Sequence, residues 1–386
     1  MNTIRLGVIG IGNMGTTHCK KVLEGACPDF TLAAICDRDP ARISWAKEHF
    51  DAPVAYFEKA EDMLDSGLID ACIVAVPHYD HPSLAMACMK RGIHVLVEKP
   101  AGVYTRQVHE MNECAKQHDV VFAMMFNQRT NHIYRKMKQL VQSGAYGQIR
   151  RTNWLITNWY RSQFYYDSGA WRATWAGEGG GVLLNQCPHQ LDLWQWICGM
   201  PKRVHAHMHF GKWHDIEVED DVTAYVEYEN GATGVFITST GDPCGTNRFE
   251  IQMDRAKLVA EGDKLTVIEF DMTEPEFTKT NKNPFAHPQW IPVQVETDGE
   301  NPQHVGVINA FGGAILRGEP LVADGCEGIN GLTLSNAMHL SAWTGKTVEL
   351  PFDEEQYYAL LMERVATSRT KQTTSVVADT EGSYGS

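Results

Sequence analysis

The first apolar run of the chain, IRLGVIG, ends in Gly10-Ile11-Gly12-Asn13-Met14-Gly15, and a helical pattern begins at once. No other stretch restricts the fold as strongly. A strand that turns through G-x-G-x-x-G straight into a helix opens a βαβ unit, and the pattern carries meaning only in that context. Gly10 allows the tight turn, Gly12 lets the backbone approach a pyrophosphate, and Gly15 lets helix and strand pack closely. Asn13 and Met14 complete the candidate phosphate cradle at the helix start. The acidic residue expected about 20 residues further on is Asp37, at the end of the second strand pattern. Its carboxylate suits the ribose hydroxyls of NAD and repels a 2′-phosphate. Arg38 beside it either stacks on adenine or pairs with that phosphate, so NAD is expected and NADP stays open.

The same alternation continues to about residue 126. Strand patterns at 4–10, 31–37, 54–57, 69–76, 93–98 and 120–126 are separated by helical patterns near 13–25, 40–49, 59–66, 81–91 and 105–118. Near-continuous apolar strands between helices mean a parallel sheet covered on both faces. After a helical pattern at 132–143 the character changes to long alternating strands. VTAYVEYENGATGVFITST reads as a hairpin around Asn230-Gly231. The expected fold is α/β: a Rossmann domain over 1–126, then an α+β domain over 127–370 with a mostly antiparallel, open-faced sheet. Helical patterns return at 304–317 and 326–343, and 371–386 reads as a polar, disordered tail.

Composition narrows the partners. A net charge of −14 argues against nucleic acid or anionic membrane, and no apolar run reaches the ~18 residues of a membrane helix. The N-terminus shows no signal-peptide pattern. The ten cysteines are scattered without a C-x-x-C pair, which reads as reduced thiols in a cytoplasmic protein. Cys187 and His189 lack a second ligand pair at metal spacing, so no metal is expected. His205, His207 and His209 alternate along one strand pattern and read as its polar face.

Three stretches carry candidate chemistry. Val76-Pro77-His78-Tyr79-Asp80-His81 comes after the fourth strand, and Glu98-Lys99-Pro100 after the fifth. Both lie where a Rossmann sheet binds ligands. Lys99 is either a proton carrier beside the cofactor or a surface lysine before a loop proline. The third stretch is Gly179-Gly180-Gly181-Val182-Leu183-Leu184-Asn185-Gln186-Cys187-Pro188-His189. Asn185 and His189 are four apart, so on a helix they share one face. The glycines before them are expected to leave room for cofactor and substrate.

Together these features resemble the Gfo/Idh/MocA family of oxidoreductases. The resemblance rests on the Gly10–Gly15 loop, Asp37, Pro77 with His81, Glu98-Lys99-Pro100, Asn127-Gln128-Arg129, Trp171-Arg172 and the GGG…Asn185…His189 stretch, in the family's order. It runs through the late stretch Trp343-Thr344-Gly345-Lys346. It implies an active site between the two domains, with Pro77, His81, Glu98, Lys99, Gln128, Trp171 and Arg172 lining the cofactor. It also implies NAD(P)-dependent oxidation of a sugar or cyclitol hydroxyl, with His189 as base and Lys99 polarising the hydroxyl. Asn185 departs from the Asp that many polyol-oxidising members carry. The nearest replacement carboxylate in sequence is Asp192, which either orients a hydroxyl or the base or simply sits on the helix. Self-association through the open sheet face, as a dimer or tetramer, is implied as well.

The segment 158–172 is dense in aromatics, with Trp159, Tyr160, Phe164, Tyr165, Tyr166 and Trp171. It is either a pocket wall, where pyranose C–H faces meet aromatic rings, or interface packing. Tyr165, Arg172, Asn185, His189 and Lys99 are the expected substrate contacts. The segment lacks a basic cluster, which favours a neutral sugar, a glycoside (attacked at C3 of a glucoside) or a cyclitol. A redox-neutral NAD-recycling lyase or glycosidase and a non-catalytic NAD/sugar sensor are the competing readings.

Overall fold

The computed structural model of the chain describes residues 3–371. The polar segment expected to be a tail lies outside them, apart from Lys371. Six short strands form the first sheet: β1 (Ile4–Ile9), β2 (Phe30–Cys36), β3 (Ala55–Phe57), β4 (Ala71–Val74), β5 (His94–Val97) and β6 (Phe122–Met124). Their order is β3-β2-β1-β4-β5-β6, and every pair is parallel. Leu6, Val8, Ile73, Leu96 and Val97 are fully buried, because helices cover both faces. The strand order reverses between β1 and β4, which opens a crevice at the strands' C-terminal ends.

The second sheet has nine strands: β7 (Ile149–Ile156), β8 (Arg203–Phe210), β9 (Glu219–Glu227), β10 (Thr233–Ser239), β11 (Asn247–Met253), β12 (Ala256–Glu261), β13 (Lys264–Phe270), β14 (Trp290–Gln294) and β15 (Val348–Glu349). Their order is β14-β13-β12-β11-β7-β10-β9-β8-β15. All pairs are antiparallel except β7 with β10. One face is apolar. Trp154 of β7 lies flat on Phe249 of β11, with ring centroids 4.2 Å apart, and meets Phe236 of β10 edge-on. On the other face the same alternation leaves Leu155 and Tyr225 exposed.

Four helices bear on the position of the site: α1 (Asn13–Leu23), α2 (Pro188–Cys198), α3 (Gln303–Arg317) and α4 (Gly328–Thr344). The stretch before α2 corrects the reading of one continuous helix from the glycines. Residues 181–187 form successive turns, and α2 begins only at Pro188, which has no N–H to continue them. Asn185 therefore lies in the turns, and His189 lies in the first turn of the helix. A second difference concerns α3. Expected within the second domain, it returns to the first sheet, burying Val307, Ile308 and Phe311. Phe311 stacks on Phe30, and Arg317 pairs with Asp29 at 2.8 Å.

The two sheets are tied by a buried ion pair. Arg129, in the turn after β6, reaches Asp192 in α2 with two bonds of 2.7 Å, and both side chains are 1% exposed. Its remaining nitrogen, Nη1, donates to the half-exposed Glu327. Removing one partner of such a pair leaves an uncompensated buried charge, which costs about 3–5 kcal/mol, whereas an exposed partner contributes ~1 kcal/mol or less. Asp192→Asn is expected to lower stability by ~3 kcal/mol or more in urea unfolding and Glu327→Gln by ~1 kcal/mol or less; equal effects would show that the pair does not join the two halves.

Candidate active site

The site forms where the C-terminal ends of the first sheet face the turns before α2. At its cofactor end, Gly10 has φ +86° and Gly15 packs on the Gly10 carbonyl, where a Cβ would sit 1.8 Å from the oxygen. A Cβ on Gly12 would meet nothing within 4 Å. That open face, at the start of a helix with no side-chain cap and no acid in its first turn, fits a pyrophosphate beside Asn13 and Met14. Asp37 accepts from the amides of Ile11 and Asp39, both at 2.9 Å, so its carboxylate also holds the glycine loop. Arg38 is exposed. Arg42, which sequence reasoning missed, donates to the Ile11 carbonyl at 2.9 Å and lies 4.6 Å over Trp45, bracing the loop from outside. No local pattern marks it, because its partner is 31 residues away.

Pro77 starts a short turn after β4. His81 is corrected as a cofactor contact. It is 1% exposed, and its two ring nitrogens each lie 2.7 Å from a backbone carbonyl, those of Pro100 and Val76. No nitrogen remains for a ligand, and the ring clasps the loops after β4 and β5. Glu98 is likewise buried, 2.7 Å from His18 Nε2, with its other oxygen accepting the Lys99 amide. Burial pushes the Glu98 carboxyl up, but His18, His304 and Lys99 outweigh it and hold it at about 2. Gln128 lies in the turn after β6, with its amide nitrogen 3.4 Å from Gln303 at the start of α3.

The fold does bring the expected chemical groups together. Lys99 Nζ donates to the backbone carbonyl of Asn185 at 2.8 Å, across 86 residues of sequence. Burial, together with Arg172 and Arg161, holds its ammonium below the ordinary lysine value against Glu98 and Glu178. His189 is 9% exposed, and its buried Nδ1 has no hydrogen-bond partner. Burial, then the charge of Lys99 and His304, pushes His189 well below the usual histidine range, so it is a neutral imidazole at neutral pH. Asn185 Nδ2 donates to Glu178 and lies 3.3 Å from the Tyr165 hydroxyl. Arg172 donates to that hydroxyl at 2.8 Å. Trp171 meets His78 edge-on at 5.4 Å. Arg161 and Arg172 lie 5.1 and 4.6 Å from the Tyr165 ring, a pairing of cations that the sequence keeps eleven positions apart.

Two further placements concern the glycines and Asp192, whose role the sequence left open. A Cβ on Gly179 would lie 2.2 Å from Val103, and one on Gly181 would lie 2.1 Å from the Glu219 carbonyl. Gly179 and Gly181 thus make room for the protein's own packing. Glu219 accepts from the Gly181 and Leu183 amides at 2.8 and 3.0 Å and fixes the turn. Asp192 is taken up by Arg129, and the carboxylate beside Asn185 is Glu178. Among the described residues no group of three His, Cys, Asp or Glu is placed to hold a metal ion, and no helix is long and apolar enough to cross a membrane.

A parallel sheet in this order, an open glycine cradle and a lysine–histidine pair at its edge define an NAD(P)-binding oxidoreductase. The chain belongs to the Gfo/Idh/MocA family: residues 4–126 match the model for its "Oxidoreductase family, NAD-binding Rossmann fold" and residues 134–259 that for its C-terminal domain. It is 26% identical over 275 residues to myo-inositol 2-dehydrogenase of Thermotoga maritima, covering 69% of this chain and 77% of that one. It is 24% identical over 200 residues to the rhizopine catabolism protein MocA of Rhizobium meliloti, covering 52% of this chain and 58% of that relative. The WlbA dehydrogenase of Chromobacterium violaceum, solved with NADH and UDP-GlcNAcA, superposes with a TM-score of 0.78 at 27% identity, over 92% of this chain and 97% of that one.

This geometry has two measurable consequences. Asp37→Ala should weaken NADH binding more than NADPH binding in fluorescence titrations; an equal loss would remove its ribose role. His304, held at about 3 chiefly by burial, binds fewer protons folded than unfolded below its ordinary 6.5. Its contribution is present above about 6.5 and is lost as the pH falls toward about 3. His304→Gln should flatten the loss of thermal stability across that window, and an unchanged slope would place the acid lability elsewhere.

Proposed function

We propose that this chain is an NAD-dependent dehydrogenase that oxidises a secondary hydroxyl of a pyranose sugar or glycoside, with C3 of a glucoside as the leading position. The observation that carries the reading is the meeting of Lys99, the Asn185 turn and an unprotonated, unpartnered His189 at the carboxyl edge of the parallel sheet. A nicotinamide cofactor held at the Gly10–Gly15 cradle and Asp37 would supply the hydride acceptor for the hydroxyl-bearing carbon. Lys99 donates a hydrogen bond to the reacting oxygen, which stabilises negative charge as the proton departs. His189, a neutral imidazole, takes that proton. Tyr165, Arg161 and Arg172 form a wall with both an apolar face and donors, which suits a sugar ring.

The likeness to an inositol dehydrogenase favours a cyclitol as the second substrate class. The two arginines at Tyr165 add acidic sugars to those worth testing. We further propose self-association through the second sheet, whose open face carries Leu155 and Tyr225.

The test is NADH absorbance with NAD or NADP and a panel of glucose, alkyl and aryl glucosides, glucuronides and inositols. NADH formation with one group names the substrate class. Cofactor retained through purification with no net NADH from any of them would instead support the redox-neutral reading. Lys99→Ala and His189→Ala should each lower kcat by at least ~100-fold with NADH binding retained; near-normal turnover in either removes this mechanism.

A further inference from the structure

Glu178 is the one carboxylate bonded to the substrate-facing amide, and nothing in the proposed hydride transfer uses it. It lies 2% exposed between the segment 158–172 and the glycine turn. Its Oε2 accepts the backbone N–H of Ala173, and its Oε1 accepts from Asn185 Nδ2. No lysine or arginine forms a salt bridge with it among the described residues. With Nδ2 turned to Glu178 and Tyr165, Asn185 Oδ1 points away from both and has no hydrogen bond among the described residues.

We propose that Glu178 is a positioning residue that sets which end of the Asn185 amide the substrate meets: ionised, it turns Oδ1 into the cleft, and protonated, it turns Nδ2 there. The reasoning is one of donor and acceptor capacity. An ionised carboxylate only accepts, so it requires the amide NH2. A protonated carboxyl donates, and the amide then gains by rotating, so that Oδ1 accepts from Glu178 and from the Tyr165 hydroxyl. The reacting hydroxyl's own proton goes to His189, so the amide meets a neighbouring substrate hydroxyl: Oδ1 accepts from its O–H, and Nδ2 donates to its oxygen.

The surroundings make the switch operate near neutral pH. Burial raises Glu178 to about 7, against Arg172, the Ala173 amide and Asn185, with Glu219 adding to the rise. Lys99 and Tyr166 are also within its electrostatic reach. His78, facing the Glu178 carbonyl at 3.2 Å, is driven well below the ordinary histidine value by burial and is neutral here. Below about 7 the carboxyl is neutral and the cleft presents a donor; above it the cleft presents an acceptor.

This inference rests on reading the cleft as the catalytic centre, and its test separates the two. The pH dependence of kcat/KM is measured in both directions for wild type, Glu178→Gln and the exchanged pair Glu178→Gln/Asn185→Asp. In parallel, pH-difference infrared spectra are recorded on wild type and Glu178→Gln without substrate. The expected infrared result is a protonated-carboxyl band that fades across neutral pH in wild type and is missing in Glu178→Gln. The expected kinetic result is a step in kcat/KM near neutral pH that Glu178→Gln loses, with kcat/KM for oxidation down ~10-fold or more at alkaline pH. The exchanged pair, with its carboxylate one bond-pair nearer the substrate, should recover oxidation. A spectrum without the band, or a Glu178→Gln profile that matches wild type, overturns the switch. The band without turnover in any enzyme form would overturn the dehydrogenase reading alone. NADH binding and circular dichroism guard against misfolding.

Discussion

The site depends on a carboxylate buried completely inside the protein. Glu219, 0% exposed at the start of β9, accepts two backbone amides of the glycine turn, and its backbone carbonyl accepts a third from Val182 at 3.0 Å. His339 of α4 stands 3.0 Å from the same carboxylate. Charge-assisted bonds to backbone N–H groups are about twice as strong as neutral ones, and a buried carboxylate left without them is very costly. This constraint forces the chain at 181–187 into tight turns and lets Pro188 start the helix. The Asn185 carbonyl then faces Lys99, and His189 enters the first turn of α2. Gly181 is required by the same contact, since a side chain there would collide with the Glu219 backbone.

Around this turn the protein keeps positive groups short of partners. Lys99, Arg161 and Arg172 gather at one cleft in a chain of net charge −14, while the buried acids nearby have assigned tasks. Glu98 is committed to His18, Asp192 to Arg129, and Glu219 to the turn. Burial depresses Lys99 and His189 first, and the neighbouring cations add to it. Pairs of titratable groups pushed to unusual values in one cleft are a mark of catalytic sites. Glu178 differs from Glu98 and Asp192 in that its bonds run to an amide side chain and a backbone N–H rather than to a histidine or an arginine.

Much of this was legible in the residues. The alternation of apolar strands with helical patterns led directly to the parallel sheet, because a strand buried on both faces must be apolar throughout. The glycine loop and Asp37 indicated the cofactor end, since each depends on local spacing. The strands β12, β14 and β15 and the helix Glu354–Ala366 escaped notice. β14 and β15 lie at or near the sheet's edges and the helix is half-exposed, so alternation there is weak and tertiary pairing decides the structure; β12 lies inside the sheet, but its six residues are mostly buried on both faces and do not alternate. The helix α3 was recognised as a helix, but not as a cover for the first sheet, because periodicity marks an apolar face without saying what it meets.

What the sequence determined by itself is the set of local requirements: a tight turn at Gly10, close approach at Gly12 and Gly15, and a lysine and a histidine able to carry protons. Tertiary structure decided the partners. It assigned His81 to two carbonyls and Asp192 to Arg129, and it placed Glu178 rather than Asp192 beside Asn185. The physical reason is that a side chain's chemistry is local, whereas its protonation and hydrogen bonding depend on burial and on neighbours that arrive from distant parts of the chain. Lys99 meets the Asn185 carbonyl because the packing of the two sheets, to which the buried Arg129–Asp192 pair contributes, brings residues 86 positions apart to 2.8 Å.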